Sequence, residues 1–178
     1  MFKRFLTNEH LYEAIVIVTS MVMSLRVLEA TPIMYCVDSY SYTLMAYGLK
    51  EIRVTVFPVF GTPFILYLRV FAIPLWSIYS DLIYPVRIAS LFIYVLSSYM
   101  FFKVLISLYQ SKSSAIYKLT RVLATLLTLF IYASNPIRVL FSVVPYRDVF
   151  SNLLTLFSFY VSISALNARK LRYFIVFL

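Results

Sequence analysis

The chain has 178 residues, 62% of them hydrophobic and 13% charged, against roughly 45–50% apolar and about 25% charged in an ordinary soluble domain. A domain of this size cannot gather so much apolar surface into one core, which excludes a water-soluble globule. Its 16 Lys and Arg outnumber 7 Asp and Glu, but they punctuate apolar runs without forming a dense patch, so they fit topology signals and headgroup contacts rather than nucleic acid.

The opening "MFKRFLTNEHLYEAIVIVTSMVMSL" has a positive region at Lys3 and Arg4 and then an apolar run. No small-x-small cleavage pattern follows, because Leu28 stands where a small residue would be needed ahead of Ala30, and an uncleaved signal anchor is expected. A membrane-crossing helix takes about 20 mostly apolar residues with every backbone group bonded internally. The first such helix is expected at 11–28, stopping before Pro32, which disfavours helical geometry in the residue preceding it. Next comes 37–49, "VDSYSYTLMAYGL". Tyr42, Met45, Ala46 and Leu49 fall on one helical face, with Ser39, Thr43 and Lys50 on another, as in a short amphipathic helix at a membrane surface.

The stretch 54–80 is apolar but carries Pro58, Pro63, Pro74 and, near its middle, Arg69. An arginine at the bilayer centre costs about 2.5–3.5 kcal/mol on insertion scales. A broken helix lying in the interface is therefore expected, with a fifth span as the alternative. Three further spans are expected at 82–109, at 119–134 before the Asn135-Pro136 stop signal, and at 149–166. The last opens after Asp148 and closes at Arg169, Lys170 and Arg172. The apolar stub 173–178 is too short to cross. The expected fold is all-α and polytopic, a single membrane domain of about four spans, with interfacial helices in the loop 29–81. The charge distribution places the N-terminus in the cytoplasm and that loop outside, in a cell membrane. No N-x-Ser/Thr acceptor for a glycan occurs in it.

Residues able to carry chemistry are few. Cys36 and His10 are single, so no internal disulfide and no multi-histidine cluster can form. Asp38 has two readings: an N-cap of the short helix, worth about 1 kcal/mol, or a general base or metal ligand at the outer face. Asp148 and Arg147 likewise combine a helix cap and interfacial arginine with a second acid at that face. Arg138 reads as a headgroup anchor or as a phosphate ligand. Glu51 and Arg53 can pair, Tyr42 or Tyr40 can form a sugar platform, and Asn152 is expected to bond a neighbouring helix. No phosphate loop, zinc spacing or serine-nucleophile motif is present.

The signal anchor, the loop "VDSYSYTLMAYGL", the arginine after it and the proline-bearing "FPVFGTPFILYL" together resemble the start of the membrane-embedded GT-C glycosyltransferases. That class includes the protein mannosyltransferases and aminoarabinose transferases. Further along, "YASNPIRVLFSVVPYRDVFSNLLTLFSFYVSISALNARK" resembles their third and fourth spans. The resemblance implies that Asp38 is the first-loop acid, acting as catalytic base or ligand of a divalent metal. It implies a sugar on a polyprenyl phosphate as donor, with Arg53 meeting the lipid phosphate. Where many members carry a second acid directly after the first, this chain has Ser39, and members usually have many more spans. A non-catalytic membrane subunit packing against a partner membrane protein is therefore the alternative function. A small transporter is a weaker one, since no span centre carries a carboxylate.

Overall fold

A computed structural model describes residues 9–30, 37–48, 58–79, 83–108, 114–145 and 147–167. Within them the protein is all-α, a polytopic membrane fold with four helices long and apolar enough to cross a bilayer. These are α1 (Glu9–Ala30), α4 (Ile83–Leu108), α5 (Ser114–Thr128) continued by a π-turn (Leu129–Ala133), and α7 (Arg147–Asn167). Three shorter or accessory helices complete the set: α2 (Val37–Ala46), α3 (Pro58–Tyr79) and α6 (Pro136–Phe141). The apolar runs form helices because lipid offers no partner to a backbone N–H or C=O.

The bundle is organised around α4, which packs against α1, α3, α5 and α7. Toward the start of α1, Tyr12 and Val16 meet Phe102 of α4 and Ala124 of α5, and at its end Leu28 meets Leu91 and Val143. Ser20 and Ser24 continue the same buried face of α1, and small side chains let helix backbones approach closely where lipid supplies no hydrophobic drive. One ion pair ties the two helices: Lys103 Nζ donates to Glu13 Oε1 at 2.9 Å.

The segment expected to be broken is a single helix. α3 runs without interruption through Pro63 and Pro74 and lies antiparallel on the first half of α4. Leu68 and Ala72 share a cluster with Val86, Ala89 and Ile93. The Tyr67 hydroxyl donates to the Ala89 carbonyl at 2.8 Å, and the Tyr79 and Tyr84 rings lie 5.0 Å apart. Both prolines project from the exposed face, while the row Phe64, Leu68, Ala72 stays buried. Each ring removes a hydrogen bond without interrupting the packed face.

Arg69 is accommodated by α2. Its Nε and Nη2 donate to the carbonyl oxygens of Ala46 and Met45, each at 3.1 Å, filling acceptors that a helix C-terminus leaves open. Gly48, at φ +74°, ends α2 in the left-handed conformation, its N–H bonded to the Met45 carbonyl at 3.1 Å. Thr43, on the face expected to be polar, is only 3% exposed, while the side chain of Ser39 and the whole of Lys50 lie outside the described residues. α2 packs against α3. Asp38 is the second residue of α2, inside the first turn rather than ahead of it.

Candidate functional site

The π-turn that ends the third span forms one side of a cleft. The Ser134 N–H reaches back five residues to the Leu129 carbonyl at 2.9 Å, which adds a residue to the last turn and reorients the chain beyond it. Such turns recur at functional sites. Tyr132, within it, is 2% exposed. Its carbonyl accepts from the Tyr94 hydroxyl of α4, and its own hydroxyl accepts from Asn152 Nδ2 of α7 at 3.0 Å. One aromatic residue thus joins three helices, and Asn152 bonds a neighbouring helix as expected.

Immediately beyond, Asn135 caps α6: its Oδ1 accepts from the N–H groups of Ile137 and Arg138 at 3.1 and 3.2 Å, with Pro136 in the first helical position. Arg138 is thereby set in the first turn of α6, with its guanidinium carbon 5.2 Å from the centroid of the Tyr132 ring. α7 starts at Arg147, placing Asp148 in its first turn, where a carboxylate favours the positive helix end. Arg147 Nε lies 3.6 Å from Asp148 Oδ1.

Tyr94, Ser97, Tyr132, Arg138, Phe141, Asp148, Val149 and Asn152 line one cleft of about 280 Å³. A guanidinium and a carboxylate therefore both border one cleft with largely apolar walls, and both side chains remain exposed to its opening. The cation can hold an anionic group, and the carboxylate can accept a proton or orient a hydroxyl. On the other flank of the first turns of α7, Tyr67, Phe71, Phe92, Leu96, Phe150 and Leu153 border an apolar trough of about 600 Å³, suited to a hydrocarbon chain.

Of the residues singled out in the sequence, Arg138 and Asp148 both line this cleft, and Arg147 lies against Asp148. Tyr42 does not line it: its ring packs edge-on against Phe64 at 5.3 Å, and Phe64 in turn meets Phe150 at 5.8 Å. The side chains of Asp38 and Tyr40 and the whole of Glu51 and Arg53 lie outside the described residues. Tyr94, Ser97, Tyr132, Phe141 and Val149 carry no sequence signal, since tyrosine and apolar residues occur throughout a membrane chain.

Among the described residues no three His, Cys, Asp or Glu side chains gather to hold a metal ion. Asp148 is the one carboxylate among the described residues lining the cleft, and the cation of Arg138 lines it too. The described lining of the cleft does not by itself fit a divalent metal, which takes several oxygen ligands, and the metal expected at Asp38 falls on a side chain outside the described residues. Comparison with family models, with curated proteins and with solved structures gave no match.

Proposed function

We propose that the cleft takes the phosphate of a lipid-linked sugar at the membrane surface, and that the chain transfers the sugar to an acceptor hydroxyl as a GT-C-like glycosyltransferase. The observation carrying this reading is that Arg138 and Asp148, from different helices, line the same apolar-walled cleft. The sequence resemblance supplies the reaction class. In the proposed step the acceptor oxygen attacks the anomeric carbon, the bond from that carbon to the phosphate oxygen breaks, and the phosphate leaves with the electron pair. Asp148 takes the acceptor's proton, Arg138 compensates the charge of the leaving phosphate, and Asp38 is the second candidate base. The N-terminus is proposed to face the cytoplasm, which puts the cleft on the outer side.

The test measures transfer from a polyprenyl-phosphate-linked sugar in proteoliposomes containing the full chain. Asp148→Asn should abolish transfer while donor binding persists, and Asp38→Asn should separate the two candidate bases. Full activity in both variants overturns the catalytic reading.

A second reading, a membrane subunit that packs against a partner protein, is favoured by α7. Of its 21 residues only Leu156 and Ala165 are buried, and Ser151, Thr155, Ser158 and Ser162 form a row of small side chains along it. Crosslinking from Ser158→Cys in native membranes tests it: adducts with a second membrane protein are expected, and adducts with lipid alone contradict it.

A further inference from the structure

We infer that Tyr132 is the positioning residue of this cleft, holding the Arg138 guanidinium over its ring so that the cation is aimed at the bound anion. The inference rests on the reading that Arg138 meets an anionic group, and it adds the residue through which Arg138 is aimed. Three observations converge on Tyr132. The π-turn presents its ring at the cleft, with Arg138 5.2 Å from the centroid. Tyr94, reaching from α4, fixes its backbone through the Tyr132 carbonyl. Asn152, reaching from α7, fixes the far end of the ring through its hydroxyl at 3.0 Å. The ring is thus held at both ends, whereas Arg138 is exposed and on a helix of six residues. A flexible, exposed arginine has many rotamers to lose on binding. A ring face already occupied by the cation reduces that loss and leaves the N–H edge of the guanidinium available to phosphate oxygens.

Arg138 meets both the ring face and the hydroxyl of Tyr132. The cation needs the aromatic face, which phenylalanine retains, so the conservative variant should rescue part of what an aliphatic residue loses. Binding of farnesyl phosphate is measured by calorimetry on the purified full-length chain in detergent micelles, with inorganic phosphate as a second probe. Arg138→Gln tests the underlying reading: undiminished farnesyl phosphate binding in that variant overturns both the reading and this inference. Given a loss there, Tyr132→Leu should weaken binding by roughly three- to thirtyfold, the span of a cation–π contact between exposed and desolvated surroundings. Tyr132→Phe should bind more tightly than Tyr132→Leu, because it keeps the ring face and loses only the hydroxyl's interactions with Asn152 and Arg138. The double variant Tyr132→Leu, Arg138→Gln should bind no more weakly than Arg138→Gln alone, since a positioning residue has nothing left to position.

Native affinity in Tyr132→Leu, or a further loss in the double variant, overturns the positioning role and leaves the phosphate reading standing. If Tyr132→Leu does not fold, Tyr94→Phe, which releases the Tyr132 carbonyl but keeps every ring, is measured instead. A weaker affinity is then expected with native helicity, and native affinity overturns the inference. Inorganic phosphate binding as tight as that of farnesyl phosphate would mean that the lipid chain contributes nothing, and that the anion source is not the membrane.

Discussion

Arg69, in the middle of an apolar helix, donates through Nε to the Ala46 carbonyl at 3.1 Å, with Nη2 on the adjacent Met45 carbonyl. The relationship explains how one charge is tolerated in α3, because its donors meet the negative end of another helix. It also makes α2 dependent on α3, since a ten-residue helix is not stable by itself.

Replacing Arg69 by Met should therefore destabilise the protein, by about 1–3 kcal/mol, the range for removing hydrogen bonds from a charged donor. Arg69→Lys should recover only part, because a single ammonium cannot reproduce the planar fork. The measurement is denaturant unfolding in micelles. Unchanged stability in Arg69→Met would show that relief from placing an arginine in lipid fully offsets the lost bonds.

The sequence revealed the spans and not the contacts between them. Twenty-residue apolar runs have only one way to satisfy their backbone in lipid, so α1, α4, α5 and α7 could be placed from hydropathy and from breakers such as Asn135-Pro136. The continuity of α3 could not, because two prolines and an arginine weigh against a helix until α2 and α4 are seen packed on it. That Arg138 and Asp148 line one cleft was half legible, as both lie in or beside the connection between the third and fourth spans. Tyr132 was not: a π-turn leaves no composition signal in "LFIYA", and its partners Tyr94 and Asn152 come from helices 38 and 20 residues away.

The Glu13–Lys103 pair gives a second stability prediction. Its side chains are 21% and 28% exposed, so the pair lies between a surface bridge worth about 0–1 kcal/mol and a buried one whose disruption costs about 3–5 kcal/mol. Glu13→Gln should cost about 1–2 kcal/mol, chiefly by leaving Lys103 charged beside apolar neighbours. Lys103→Gln should cost a similar amount, and the double variant less than the sum, as a double-mutant cycle in the same unfolding assay would reveal. His10, 3.5 Å from the other Glu13 oxygen, is 88% exposed, and His10→Ala should leave stability unchanged.

The proposed orientation can be tested with the native thiol. With the N-terminus in the cytoplasm, a membrane-impermeant maleimide added to intact cells should label Ser39→Cys, and Cys36 where it is accessible. A cysteine replacing Lys118 should be labelled only after permeabilisation. The reverse pattern would place the cleft on the cytoplasmic side and would require a donor whose headgroup faces inward.

The cap at Asn135 links folding to the cleft. Its Oδ1 holds the N–H groups of Ile137 and Arg138, so Asn135→Ala should cost about 0.5–2 kcal/mol of stability, as for other N-caps. The same change frees the first turn that carries Arg138, while leaving the guanidinium and the Tyr132 ring chemically intact. Farnesyl phosphate binding should therefore weaken less than in Arg138→Gln, and Asn135→Ser or Asn135→Asp, which retain a capping oxygen, should restore it. Calorimetric titration of the three Asn135 variants beside Arg138→Gln checks this order. Equal losses in Asn135→Ala and Arg138→Gln would mean that α6 unfolds altogether without its cap. A full recovery in Asn135→Ser would then show that the cap, and not the asparagine amide, sets the position of Arg138.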